Sequence, residues 1–95
     1  MKVAVLYTMD GCPFCTMIKE EFKKNDIIYL ERDIDEYEEE YDEFVKVVDN
    51  DFVPAIMLIT IDEDNNPHNI KYLAPDRDFN DIYEGAEIVK EYMLQ

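Results

Sequence analysis

Two residues in this chain have the type and spacing to do chemistry together: Cys12 and Cys15, its only cysteines. A bridge between them would close so short a loop that it could staple nothing distant together. A C-x-x-C pair suits either disulfide exchange or half of a metal site. Exchange starts with attack by a thiolate, so the attacking sulfur needs a lowered pKa and open access. Pro13 follows Cys12, and proline is favoured at the first position of a helix. That places Cys12 at a helix N-terminus, where unpaired N–H groups and a partial positive charge stabilise a sulfur anion. Cys15 lies one turn further in, within reach to resolve a mixed disulfide. It shares a face with Ile18 and Phe22, which predicts the more buried thiol.

Other readings of the pair stay open at this point. Both cysteines could be small apolar core residues. A structural zinc needs four ligands, and beyond the pair only His68 remains, in a segment that reads as a polar turn. No metal site is therefore assigned within one chain. A site built from Cys12 of two copies, including iron–sulfur carriage by a dimer, is the metal alternative.

The surrounding pattern supplies elements to hold the pair. Lys2–Tyr7 is rich in β-branched and apolar types and predicts a buried strand. From Pro13, the recurrence of Cys15, Ile18 and Phe22 predicts a helix ending at Asn25-Asp26. Ile27–Arg32 predicts a second strand, parallel to the first. Asp33–Asp35 opens a second helix with the stripe Tyr37, Tyr41, Phe44, Val45 and Val48, closed by Asp49-Asn50-Asp51. Phe52-Val53-Pro54 leads into a third strand, Ala55–Ile61. Asp62–Asn69 predicts a polar turn and Ile70–Leu73 a short fourth strand. Phe79, Ile82, Tyr83, Ala86, Val89 and Met93 give a closing helix, with Asp78 as its expected cap. The reading is one α/β domain over residues 1–95, a four-stranded mixed sheet flanked by three helices in the order β-α-β-α-β-β-α.

Tyr7-Thr8-Met9-Asp10-Gly11-Cys12-Pro13-Phe14-Cys15 resembles the active-site segment of glutaredoxins, whose usual form carries C-P-Y-C. Thioredoxins usually have W-C-G-P-C there, and this chain has no Trp. Phe52-Val53-Pro54 is similar to the T-V-P segment in which the family holds a cis proline beside the cysteines. The resemblance implies a thioredoxin-like fold, a redox-active dithiol, and substrate contacts from Phe14, the Val53 backbone and Pro54. It implies no permanently bound cofactor, glutathione as co-substrate, and substrates such as protein disulfides, glutathione mixed disulfides or ribonucleotide reductase. Asp78 would receive a substrate amine.

Two positions depart from the family pattern. Met9 stands where a basic residue is common. Leu73-Ala74-Pro75-Asp76-Arg77-Asp78 lacks the family's glycine pair, and neither Ala74 nor Pro75 suits the positive φ that glycine allows. Lys19, Lys23, Lys24 and Arg77 are the cations that could attract glutathione. The rival reading within the fold is a thioredoxin-like electron donor recycled by a reductase. The rival outside it is an acidic scaffold with idle thiols.

Charge and hydropathy narrow the setting. The formal net charge is −15, with five basic and six acidic side chains in residues 1–34 against four and eighteen in residues 35–95. Such a chain should repel nucleic acid and anionic membranes. The longest apolar run, Val53–Ile61, is too short to span a bilayer. The N-terminus lacks the apolar length and cleavage site of a signal peptide, so the expectation is a cytoplasmic monomer. Asp62-x-Asp64-x-Asn66 copies the opening of a calcium loop. Pro67 stands in place of its glycine and Leu73 in place of its bidentate glutamate, so the segment is read as a hairpin turn.

Overall fold

Strand β1 (Lys2–Thr8) sits at the centre of the architecture. Its side chains alternate between faces, as a strand's must. Ala4 and Leu6 join one core cluster, and Val5 and Tyr7 the other. The computed structural model describes residues 1–95 in the order β1, α1 (Pro13–Lys24), β2 (Leu30–Asp33), α2 (Glu38–Val48), β3 (Ala55–Ile61), β4 (Pro67–Leu73) and α3 (Ile82–Leu94). The strands lie in the order β2-β1-β3-β4. β1 and β2 are parallel, while β3 is antiparallel to both β1 and β4. α1 and α3 cover one face through Ile18, Phe22, Ile82, Ala86 and Val89. α2 covers the other through Tyr41, Phe44 and Val48. This is the thioredoxin-like α/β arrangement that the sequence implies. No helix is long and apolar enough to cross a membrane.

Four boundaries differ from expectation, each for a local reason. β2 begins at Leu30 rather than Ile27. Asp26 takes a left-handed φ of 56°, and Ile27 N–H closes α1 by donating to Phe22 O at 2.8 Å. That Schellman closure spends the amide a strand would have needed. α2 begins at Glu38 because Asp33 organises a turn first. The Asp33 carbonyl accepts from Glu36 and Tyr37, and its carboxylate accepts from Asp35 N–H at 2.8 Å.

β4 starts at Pro67, and the turn shrinks to Asp62–Asn66. Asp62 Oδ1 there accepts the N–H groups of Asp64 and Asn66, both at 2.9 Å. Asn69, at φ 54°, is a bulge residue: the register jumps from Thr60↔His68 to Leu58↔Lys71. A turn-forming residue type thus serves a bulge inside an edge strand. His68 accordingly lies in β4, not in a turn. Finally, Asp81 rather than Asp78 caps α3, its Oδ1 accepting Glu84 N–H at 2.8 Å. The D-x-x-E spacing of Asp81 and Glu84 is the capping signal that identifies it.

Candidate active site

Leaving β1 at Thr8, the chain crosses Met9, Asp10 and Gly11 to reach α1. Gly11 sits at φ 74°, a conformation that side-chain-bearing residues seldom adopt. The turn delivers Cys12 to the N-cap of α1, with Pro13 at the helix start. Cys12 Sγ accepts the backbone N–H of Cys15 at 3.2 Å. No acidic side chain occupies the first turn of α1, so none within the helix offsets its positive end beside the sulfur. Cys12 and Cys15 are joined as a disulfide, with their Cα atoms 5.2 Å apart. Cys15 is 2% exposed, whereas Cys12 is half-buried between exposed Gly11 and Pro13.

Two grooves meet at Cys12. The smaller, about 410 Å³, is polar and contains Thr8, Lys19 and Glu31. Glu31 Oε2 there accepts from Thr8 Oγ1 at 2.9 Å and pairs with Lys19 Nζ at 3.0 Å. The larger, about 750 Å³, is mostly apolar and runs from Phe14 and Met17 past Phe52, Val53 and Pro54 to Tyr83. The Val53–Pro54 peptide bond is cis. Pro54 is buried, and Val53 makes no backbone hydrogen bond, so its N–H and C=O are free for an incoming chain.

Cys12, Cys15, Phe14, Val53 and Pro54 are therefore brought together. Asp78 is not with them. Its carboxylate accepts Ala74 N–H at 2.8 Å and pairs with Arg77 at 2.7 Å, and it does not line the larger groove. The positive φ displaced from Ala74 and Pro75 falls on Asp76, at 62°. None of Lys19, Lys23, Lys24 and Arg77 lines the larger groove. Lys19, Lys24 and Arg77 are instead paired with Glu31, Glu21 and Asp78.

One residue that builds the site, Asn50, is expected from the sequence only to help close α2. Asn50 Oδ1 accepts Phe52 N–H at 2.8 Å, and its Nδ2 donates to Pro75 O at 2.8 Å. It ties the segment before Pro54 to the loop on the groove's far wall. An Asn just after a helix is the residue type that accepts from the amide two residues on, as in this Asx turn.

The glutaredoxin family model matches residues 4–63, a span that holds both cysteines and Pro54. The chain belongs to the glutaredoxin family. The crystal structure of the thioredoxin-like protein BC3987 superposes with a TM-score of 0.51 at 23% identity, covering 68% of this chain and 82% of that one. A mutant of the same protein gives 0.51 at 21% identity, covering 65% and 78%. These likenesses bear on the fold. No curated protein matches the sequence. Family membership and the Cys12–Cys15 pair together make the chain a thiol oxidoreductase. The matched span ends before β4, so the wall from Pro75 to Tyr83 lies outside it.

Proposed function

We propose that the reduced protein passes two electrons from Cys12 and Cys15 to disulfides carried by other proteins. Cys12 thiolate attacks one substrate sulfur, the substrate S–S bond breaks, and the departing thiolate takes up a proton. Cys15 then loses its proton and attacks Cys12 Sγ, which releases the second substrate thiol and leaves the Cys12–Cys15 bridge. The observation that carries this reading is the placement of Cys12 Sγ on the Cys15 N–H at the mouth of an open groove. A helix N-terminus of this kind lowers thiol pKa and favours the attacking anion. The free Val53 amide and carbonyl suit a substrate strand lying beside the sulfurs.

Regeneration needs an external dithiol, a reductase or two molecules of a monothiol. Family membership favours glutathione as that monothiol and glutathione mixed disulfides as further substrates. The proposed setting is the reducing cytoplasm, with a monomer acting alone because both sulfurs come from one chain. The test is insulin disulfide reduction by purified variants. Cys12→Ser is expected to lose all exchange, and Cys15→Ser to accumulate a mixed disulfide visible by mass spectrometry. Wild-type turnover by Cys12→Ser would refute the assignment.

A further inference from the structure

The larger groove carries a charge pattern that disulfide exchange by itself does not require. Its charged side chains are Asp51, Asp76 and Asp81, and no Lys, Arg or His lines it. None of these three carboxylates takes part in an ion pair. They come from two segments: Asp51 from the α2–β3 connection, and Asp76 and Asp81 from the 74–81 loop, at its left-handed position and at the cap of α3. Between them stand aromatic rings with no partner, since Phe14, Phe52 and Tyr83 are 59%, 54% and 57% exposed. An apolar floor ringed by unpaired carboxylates, with a reactive sulfur at one end, matches one kind of occupant. It matches neither a small anion nor an acidic peptide.

Building on the exchange reaction proposed above, we infer that this groove selects disulfides held in a cationic segment of a partner protein. The segment carries Lys or Arg on either side of its cysteine and an apolar residue to cover the aromatic rings. The carboxylates steer such a segment toward Cys12 and repel acidic competitors, so selectivity arises from attraction and exclusion together. The same field slows glutathione without excluding it, because its net charge is negative and its carboxylates find no cation in the groove. Electrons move as in the exchange reaction, from the Cys12–Cys15 dithiol to the partner's disulfide, with no further reactant in a single turnover.

The test is stopped-flow single turnover of the reduced protein with two synthetic disulfide-bridged peptides. They share an apolar core and differ only in flanking Lys or flanking Glu. The Lys peptide is expected to react about tenfold faster at low ionic strength, with the ratio shrinking as salt is added. Asp51→Asn combined with Asp76→Asn should reduce that ratio by about threefold or more, as removal of two steering charges implies. Asn tolerates the left-handed conformation at position 76, so the double variant is built to fold. Glu63→Gln combined with Asp64→Asn removes equal charge from the β3–β4 turn, at the opposite end of the sheet from Cys12. It should leave the ratio in place.

Equal rates for the two peptides would overturn the inference while leaving the exchange reaction standing. So would a ratio that survives in the Asp51/Asp76 variant, or one that falls as far in the turn variant. Failure of both peptides to react would remove the exchange reaction and this inference together.

Discussion

Phe79 packs its ring directly against Gly85. A Cβ built on Gly85 would come within 3.1 Å of Phe79 Cδ2 and 3.2 Å of two further ring atoms. Phe79 is 3% exposed, belongs to the core beneath α1 and α3, and also lines the groove beside Cys12. The close approach therefore sets where the 74–81 loop meets the last helix. In an open helix, Gly→Ala gains about 1 kcal/mol from propensity. Here the methyl must displace a buried ring, and overpacking of that kind costs about 1–3 kcal/mol. Gly85→Ala is expected to lower the unfolding midpoint in urea and to slow exchange with protein disulfides. A midpoint raised by the full propensity gain would show that Phe79 has room to retreat.

Asn50 holds the two walls of the groove together through one amide. Asn50→Asp keeps the acceptor for Phe52 N–H and loses the donor to Pro75 O; Asn50→Ala loses both. The bond to Pro75 is part-buried and contributes about 1 kcal/mol, while the bond from Phe52 is exposed and contributes less, so the alanine variant should lose more stability than the aspartate variant, by less than twofold. Both should raise KM for a protein disulfide more than they change kcat, because the wall moves and the sulfurs do not. A pure kcat effect in either variant would contradict this positioning role.

Much of this arrangement can be read from residue types alone. Cys12-Pro13 announces a helix start, and the Cys15, Ile18, Phe22 stripe shows which face is buried; all three are under 3% exposed. The alternation in β1 sorts the two cores. What escapes is the use of one residue type for two ends. Asp26 and Asn69 look like ordinary turn residues, yet one completes a helix closure and the other a strand bulge. Asp78 and Asp81 are both plausible caps by composition. The Glu84 spacing favours Asp81, and the hydrogen bonds decide it: Asp78 serves Ala74 and Arg77, while Asp81 serves α3. The charge on the groove is hidden for a similar reason: Asp51, Asp76 and Asp81 are scattered in sequence and meet only when the loops fold.

Alkaline conditions should expose a second buried group. Tyr7 has no exposed surface, and its phenol donates to Glu40 Oε2 at 2.6 Å. Burial, with added weight from the Glu40 hydrogen bond and charge, pushes this phenol far above its ordinary value of 10.0. Burial raises Tyr29 and Tyr41 as well. The unfolded chain therefore sheds tyrosine protons first as pH rises. Stability from the neutral phenols is fully present below pH 10 and declines above it. Urea unfolding at a series of pH values should show that decline, and Tyr7→Phe should make it shallower. An equally steep decline in Tyr7→Phe would move the cause elsewhere.

The absence of a cation from the larger groove has a kinetic consequence for regeneration. With only Asp51, Asp76 and Asp81 charged there, the two carboxylates of glutathione meet no cation on approach to the bridge. Reduction of the Cys12–Cys15 disulfide by glutathione is expected to rise linearly with thiol concentration, without saturation into the millimolar range. Added salt should speed it, because screening weakens repulsion from a chain of net charge −15. The Asp51→Asn/Asp76→Asn variant should be faster than wild type at low salt and lose that advantage at high salt. Stopped-flow measurement of bridge reduction gives both dependences. A saturating curve slowed by salt would mean that glutathione is held by cations outside this groove, with Lys19 in the smaller one the first to substitute.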